Sequence, residues 1–218
     1  MKCIIFANGE YEKDMDSYAR IIEKDDLIIC ADGGANYAYK LNLKPHCIVG
    51  DMDSIYPDVE SYYAKLNVPV KKYPRRKNSS DTQLSLSEAE EAGIKDIIVL
   101  GSLGKRLDHS MANIYGSIKI VNNGFNVMHY TKDMILYVIN NSLELHGRTG
   151  DLVSVLALTD KADGVSETGF EYPLEKAALF KETPYAISNL ITAEKAVITV
   201  EQGVLAVMHY VGYADHPV

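Results

Sequence analysis

The sequence predicts a parallel-sheet α/β domain over residues 1–130, followed by a smaller all-β sandwich over residues 131–218. Three observations carry this expectation. Up to about residue 130, short β-rich runs alternate with helical patterns, and that alternation builds parallel sheets with helices on both faces. Beyond it, nearly every apolar run is strand-like. A chain of 218 residues with 47% hydrophobic and 24% charged side chains has the composition of a packed globular protein.

The elements follow in order. Cys3–Ala7 is a fully apolar run and reads as a buried strand, with a helical stretch after it around Ser17–Glu23. Leu27–Ala31 and Cys47–Val49 are further strands, separated by a short helix over Ala35–Leu41. Pro57–Leu66 is helical, with proline preset at its first position. The lysines in Val68–Tyr73 suit a short edge strand. Ser80 and Gln83 have capping-box spacing, and Gly93 stops the helix they open. Ile97–Leu100 is an apolar strand. A long helix then runs from Leu107 to about Val121, and Leu107, Met111, Ile114, Ile118 and Val121 form its expected buried face. Asn126–Tyr130 closes this Rossmann-like part. Met134–Ile139, Asp151–Leu158, Ala196–Glu201 and Val204–Tyr210 are strands of the second part, where Leu174–Lys181 is a weak candidate helix.

Charge and composition exclude several roles. Thirty acidic against 22 basic side chains leave a net charge of −8, which argues against a nucleic-acid binder. The same surplus disfavours a polyanionic substrate unless metal ions or a local basic patch correct the sign. The three cysteines, Cys3, Cys30 and Cys47, form no CxxC pair and read as small buried hydrophobes of a reducing cytoplasm. Met134–Ile139 is the longest apolar run at six residues, too short to span a membrane.

Parallel sheets place ligand sites at the carboxyl ends of their strands. Asp32-Gly33-Gly34-Ala35-Asn36 follows the second strand, either as a capped turn or as a close backbone approach to an anion. Gly50-Asp51-Met52-Asp53-Ser54 follows the third. In extended backbone Asp51 and Asp53 point to one side and suit a hard cation such as Mg²⁺. Gly101-Ser102-Leu103-Gly104-Lys105-Arg106-Leu107-Asp108-His109 has the makings of a phosphate loop but is not a Walker A sequence. Asp81 is a first-turn acid, and Lys71, Lys72, Arg75, Arg76 and Lys77 form a basic run just before it. Asp32, Asp51, Asp53, Gly101 and Asp108 all fall on one predicted sheet edge, as an active site requires.

ADGGAN (31–36), GDMDS (50–54) and GSLGKRLDHSMAN (101–113) stand in the order and spacing of the thiamine pyrophosphokinases. GFEYPLE (169–175) and ISN (187–189) resemble that family's second domain. The resemblance implies an α/β catalytic domain, a β-sandwich, and a homodimer with active sites at the subunit interface. It implies transfer of the terminal diphosphate of ATP to thiamine, giving thiamine diphosphate and AMP, with no nucleic-acid or membrane partner. By the same resemblance Asp51, Asp53 and Asp81 match the metal-binding acids. Arg106, Asp108 and Asn113 match the nucleotide and phosphate motif, and Asp32, Gly33, Asn36 and Gly101 belong to the nucleotide site. Ser188 and Asn189 match the segment near thiamine. Asn78 and Ser80 stand where the family has Asp and Thr, and with no Trp in the chain, Tyr172 or Tyr185 is left to cover the thiamine ring. The residues alone leave two other classes open: a metal-dependent nucleotide-sugar glycosyltransferase using Asp51 and Asp53, and a non-catalytic binding regulator.

Overall fold

The computed structural model describes residues 1–13 and 15–213. It divides into two compact units, Met1–Lys132 and Asp133–Val218.

The first unit carries strands β1 (Cys3–Phe6), β2 (Leu27–Ala31), β3 (Cys47–Gly50), β4 (Val70–Lys72), β5 (Asp96–Leu100) and β6 (Asn126–Tyr130). Its helices are α1 (Asp16–Ala19), α2 (Ala35–Lys40), α3 (Pro57–Lys65), α4 (Asp81–Glu91) and α5 (Leu107–Asn122). All six strands are parallel, in the order β6-β5-β1-β2-β3-β4. Alternate strand residues point to opposite faces. Ile4, Phe6, Ile28, Cys30 and Ile48 therefore share one core with Ala35 and Ala38 of α2 and Val59 and Tyr63 of α3. Helix α4 packs on β1, β2 and β3, and α5 on β6. The order reverses at β1, which has β2 on one side and β5 on the other. Such a switch point opens a crevice at the carboxyl ends of the strands.

Several local signals act as expected. Ser80 Oγ accepts from Gln83 N at 3.2 Å and Gln83 Oε1 accepts from Ser80 N at 2.9 Å, completing the capping box of α4. Edge strand β4 is short and exposed. Cys3 and Cys30 are buried, and burial pushes the Cys3 thiol up to about 12.

Two expectations for this unit are corrected. Only Asp16–Ala19 of the first helical stretch is α-helical. The helix ends in a turn in which Ile22 N donates to Ala19 O at 3.2 Å, and Asp26 then accepts from Glu23 N at 2.9 Å and Lys2 N at 2.7 Å. The buried face of α5 is Ser110, Asn113, Ser117, Ile120 and Val121, so of the apolar stripe only Val121 is buried; Ile114 and Ile118 are half-buried, Leu107 is 70% exposed and Met111 is exposed as well. The inward residues of its first half are small and polar because they bond to the loop before the helix and to His129 on β6.

The second unit is all β: β7 (Met134–Ile139), β8 (Ser142–Leu145), β9 (Leu152–Ala157), β10 (Lys161–Thr168), β11 (Leu174–Phe180), β12 (Asn189–Leu190), β13 (Ala196–Thr199) and β14 (Leu205–Tyr210). Antiparallel pairing gives β12-β9-β14-β7 and β11-β10-β13-β8. Val153, Val155, Leu205 and Val207 of the first group share one core with Leu145, Ala162, Val165 and Ile198 of the second. The candidate helix Leu174–Lys181 is strand β11 instead. Its pairing with β10 shifts register twice and Lys176 has φ +46°, so the alternation that marks a strand is interrupted.

Candidate active site

The crevice of the first unit is a cleft of about 810 Å³. Its floor comes from the segments that leave β1, β2, β3 and β5, and its rim from the loop before α4 and the start of α5. The backbones at the switch point nearly touch. A Cβ on Gly9 would lie 2.0 Å from Gly101 O, and one on Gly34 would lie 1.9 Å from Phe6 O. Gly101 has φ +65°, and a Cβ there would lie 2.2 Å from the Tyr11 ring, so glycine is required there on both counts.

One wall is acidic. Carboxylate oxygens of Asp32, Asp51 and Asp53 lie within 4.8 Å of one another. Asp32 is buried with φ +45°, its Oδ1 accepts from Ser54 N at 3.4 Å, and burial raises its pKa, aided by the nearby Asp81 charge. Asp51 and Asp53 converge, but not through extended backbone. Met52 has φ +69°, and Asp53 N donates back to Asp51 Oδ1 at 3.3 Å. Asp81 and Asp32 flank the same side of Gly50, where an added Cβ would lie 3.0 Å from each side chain. Lys77 Nζ lies 2.9 Å from Asp81 Oδ1, and Arg75 Nε lies 3.5 Å from Asp53 Oδ2. Part of the basic run is thus the local counter-charge to these acids. An all-oxygen set of three clustered carboxylates, with a fourth beside them, fits a hard divalent cation.

The opposite wall is the Gly101–Lys105 loop and the first turn of α5. Arg106 donates twice to Asp108, at 2.9 Å and 2.6 Å, and this guanidinium holds the Asp108 carboxyl well below the usual range. Glu10 accepts from Lys105 N at 3.1 Å, tying the exit of β1 to this loop.

In the second unit, Ser188 is exposed with φ +59°, and its N–H donates to Ser154 Oγ at 3.0 Å. Asn189 beside it is buried. Its Nδ2 donates to Glu167 Oε2 at 2.9 Å and Tyr172 O at 2.8 Å, while Oδ1 accepts from Tyr172 N and Leu190 N, each at 3.0 Å. Tyr172 and Tyr185 are 65% and 54% exposed.

A sequence model of the thiamin pyrophosphokinase catalytic domain matches residues 18–129, and one of that enzyme's vitamin B1 binding domain matches residues 137–205. The chain belongs to the thiamine pyrophosphokinase family. Thiamine pyrophosphokinase 1 of Oryza sativa subsp. japonica is 26% identical over 200 residues, covering 79% of this chain and 75% of the relative. Thiamin pyrophosphokinase 1 of Caenorhabditis elegans is 25% identical over 205 residues, covering 89% and 83%. The fold is that of the crystal structure of thiamine pyrophosphokinase from Bacillus subtilis, with a TM-score of 0.85 at 21% identity over 97% of this chain and 99% of that one. The glycosyltransferase and regulator readings find no support in these matches.

Within this thiamine pyrophosphokinase fold the cleft brings together Asp32, Asp51, Asp53, Asp81, Gly101, Arg106, Asp108 and Asn113. Gly33 and Asn36, expected at the nucleotide, lie outside its lining. Gly33 packs against the Asn8 side chain, while Asn36 Nδ2 donates to Ser54 O at 2.9 Å and its Oδ1 accepts from Tyr56 N at 3.0 Å. Asn36 thereby holds the loop that carries Asp51 and Asp53. Asn189 is saturated: both amide protons and both carbonyl lone pairs are engaged within the chain. Sequence reasoning missed Asn8, Gly9 and Glu10, which line the cleft after β1. The Asn-Gly turn signal directly behind the first strand was available to find them.

Glu167 yields a pH prediction. Burial pushes its carboxyl from 4.5 up to about 7, against an opposing hydrogen bond from Asn189. Between these values the folded state binds the extra proton, so Glu167's contribution to stability is present below 4.5 and lost as the pH rises through about 7. Glu167→Gln removes this titration. Relative to the parent, the variant's urea midpoint is expected to gain as the pH rises from 5 to about 7 and to level off above it, and a constant difference would refute the assignment.

Proposed function

We propose that this chain transfers the terminal diphosphate of ATP to the hydroxyethyl group of thiamine, releasing AMP, with its phosphates received in the cleft between the acid cluster and the Gly101–Lys105 loop. The observation that carries this reading is the convergence of Asp32, Asp51 and Asp53 at the switch-point crevice of a thiamine pyrophosphokinase fold.

Asp51, Asp53 and Asp32, with Asp81 adjacent, would hold Mg²⁺. When bound, Mg²⁺ supplies positive charge that neutralises phosphate oxygens and makes ATP tolerable among aspartates. Arg106, braced by its two hydrogen bonds to Asp108, offsets charge that develops on the transferred group as the bond to AMP breaks. Lys77 and Arg75 add fixed positive charge at the acidic wall. Phosphoryl transfer of this kind rests on positioning and charge neutralisation rather than on a covalent intermediate. Ser188 is the thiamine contact of the second unit. Asn189 sets its place through the backbone, and Tyr172 and Tyr185 offer exposed rings to the cation. The net charge of −8 favours arrival of that cation.

We place the protein in the cytoplasm as a homodimer whose active sites are completed at the subunit interface. Leu107, Met111 and Tyr115 form an exposed row one turn apart beside Asp108, which suits a covered face. No helix of the described residues is long and apolar enough to cross a membrane. Incubation with ATP, Mg²⁺ and thiamine, followed by mass analysis, tests the reading. Thiamine diphosphate with AMP is the expected pair, from a species sedimenting at twice 24.2 kDa. ADP with thiamine monophosphate, or no turnover, overturns the proposed reaction, and a monomer that turns over overturns the dimer.

A further inference from the structure

The inner side of the Gly101–Lys105 loop is held by a closed circuit of four hydrogen bonds. Asn113 Nδ2 donates to Ser102 O at 2.8 Å, and Ser117 Oγ donates to Asn113 O at 3.0 Å. His129 Nε2 lies 3.0 Å from Ser117 Oγ, and His129 Nδ1 lies 2.8 Å from Ser102 Oγ. The directions follow from counting protons. Ser117 has one hydroxyl proton and gives it to Asn113 O, so it accepts from His129 Nε2–H. Neutral imidazole then accepts at Nδ1, and Ser102 supplies that proton. Ser102 Oγ also has Val99 O at 3.4 Å, but His129 Nδ1 at 2.8 Å is the closer acceptor, and the tautomer is assigned from that difference.

All four residues are buried, and His129 is fully enclosed. Burial pushes the imidazole down to about 4, so the ring stays neutral and the directions persist at neutral pH. The three bonds that run from Ser102 Oγ through His129 and Ser117 Oγ to Asn113 O polarise one another in turn, and a low-dielectric surrounding strengthens all four. Ser102 is gripped at both its side chain and its carbonyl. On its near side, the Tyr11 ring and Gly9 leave Gly101 no room to shift. Ser102 also lines the cleft, so the circuit ends on a residue that faces the ligand space.

We propose that His129 is a positioning residue for ATP: through Ser102 it fixes the Gly101–Lys105 loop in the shape that receives the phosphate chain. The proposal rests on the reading that this cleft takes ATP. A histidine that merely filled the core would be replaced well by an apolar side chain, and it would not distinguish the two substrates.

His129→Leu, His129→Gln and Ser102→Ala separate these roles, with circular dichroism reporting the folded fraction. Calorimetric Kd for MgATP is measured beside KM for ATP, KM for thiamine and kcat. In His129→Leu, Kd and KM for ATP are expected to rise about tenfold, or about 1.4 kcal/mol, while KM for thiamine stays within about twofold. Ser102→Ala reproduces the ATP defect from the other end of the circuit. Gln offers one donor and one acceptor, so His129→Gln recovers most of the affinity. Unchanged MgATP affinity in folded His129→Leu and Ser102→Ala overturns the proposal, as does an equal loss for both substrates. Parent protein that binds MgATP without forming AMP would defeat the proposed reaction instead, and the calorimetric comparison would still decide the role of His129.

Discussion

Asp51→Asn is expected to lower turnover by at least about 100-fold while leaving the protein folded, since even outer-shell changes at metal sites typically cost 10–100-fold. The two halves of this result have one cause. Asp32, Asp51 and Asp53 crowd three carboxylates within 4.8 Å, and Asp81 stands beside them. Like charges at that range repel, and Arg75 and Lys77 answer only part of the surplus. Removing one charge relieves the metal-free protein, so its melting temperature should hold or rise. The same change weakens the hold on a divalent cation, so the stabilisation gained on adding Mg²⁺ should shrink. Thermal melts with Mg²⁺ and with EDTA, beside steady-state turnover, read both effects. An active variant would remove Asp51 from the site. A variant that loses activity and metal-free stability together would mean that Asp51 is structural.

Much of this arrangement was legible in the chain, and the failures have physical causes. Apolar runs such as Cys3–Ala7 and Ile97–Leu100 fall on strands because parallel strands are covered on both faces, which makes them hydrophobic along their length. The ends of those strands pointed to the cleft. What sequence spacing could not reach was the partner each polar group finds in three dimensions. Asn36 and Asn189 look like ligand contacts in a motif. Yet Asn36 spends one amide N–H and its carbonyl on the backbone of Ser54 and Tyr56, and Asn189 spends its whole amide on Tyr172, Leu190 and the Glu167 carboxylate. The apolar stripe of α5 was misleading for the same reason. Ser110, Asn113 and Ser117 can turn inward because the Gly101–Lys105 loop and His129 supply their partners. Leu174–Phe180 contains Leu, Glu, Lys and Ala, which favour helix, but pairing with β10 overrides that preference. Asp51 and Asp53 converge through a left-handed Met52, a conformation that composition does not announce.

The largest stability effect is expected at Asp151, which the motifs did not single out. Its Oδ2 lies 3.0 Å from His209 Nε2 and accepts from Arg148 N at 3.1 Å, while Oδ1 accepts from Gly212 N at 2.9 Å. Both side chains of the Asp151–His209 pair are almost wholly buried, at 1% and 5% exposure. One carboxylate therefore anchors the turn before β9, the last residues of β14 and the chain just beyond them. Its backbone also pairs with Ile191, which follows β12. Asp151→Ala leaves a buried imidazole and two backbone N–H groups without their acceptor, a loss of about 3–5 kcal/mol. Urea unfolding should show it. Hydrogen exchange should place it in the second unit, with faster exchange in β9 and β14 and little change in β1 and β5. Because β12 carries Asn189 and follows Ser188 directly, the variant that remains folded should also show a raised KM for thiamine. A variant with a parental urea midpoint would mean that His209 and the two N–H groups find other partners. The carboxylate would then not be what holds the Ser188–Leu190 segment to its sheet.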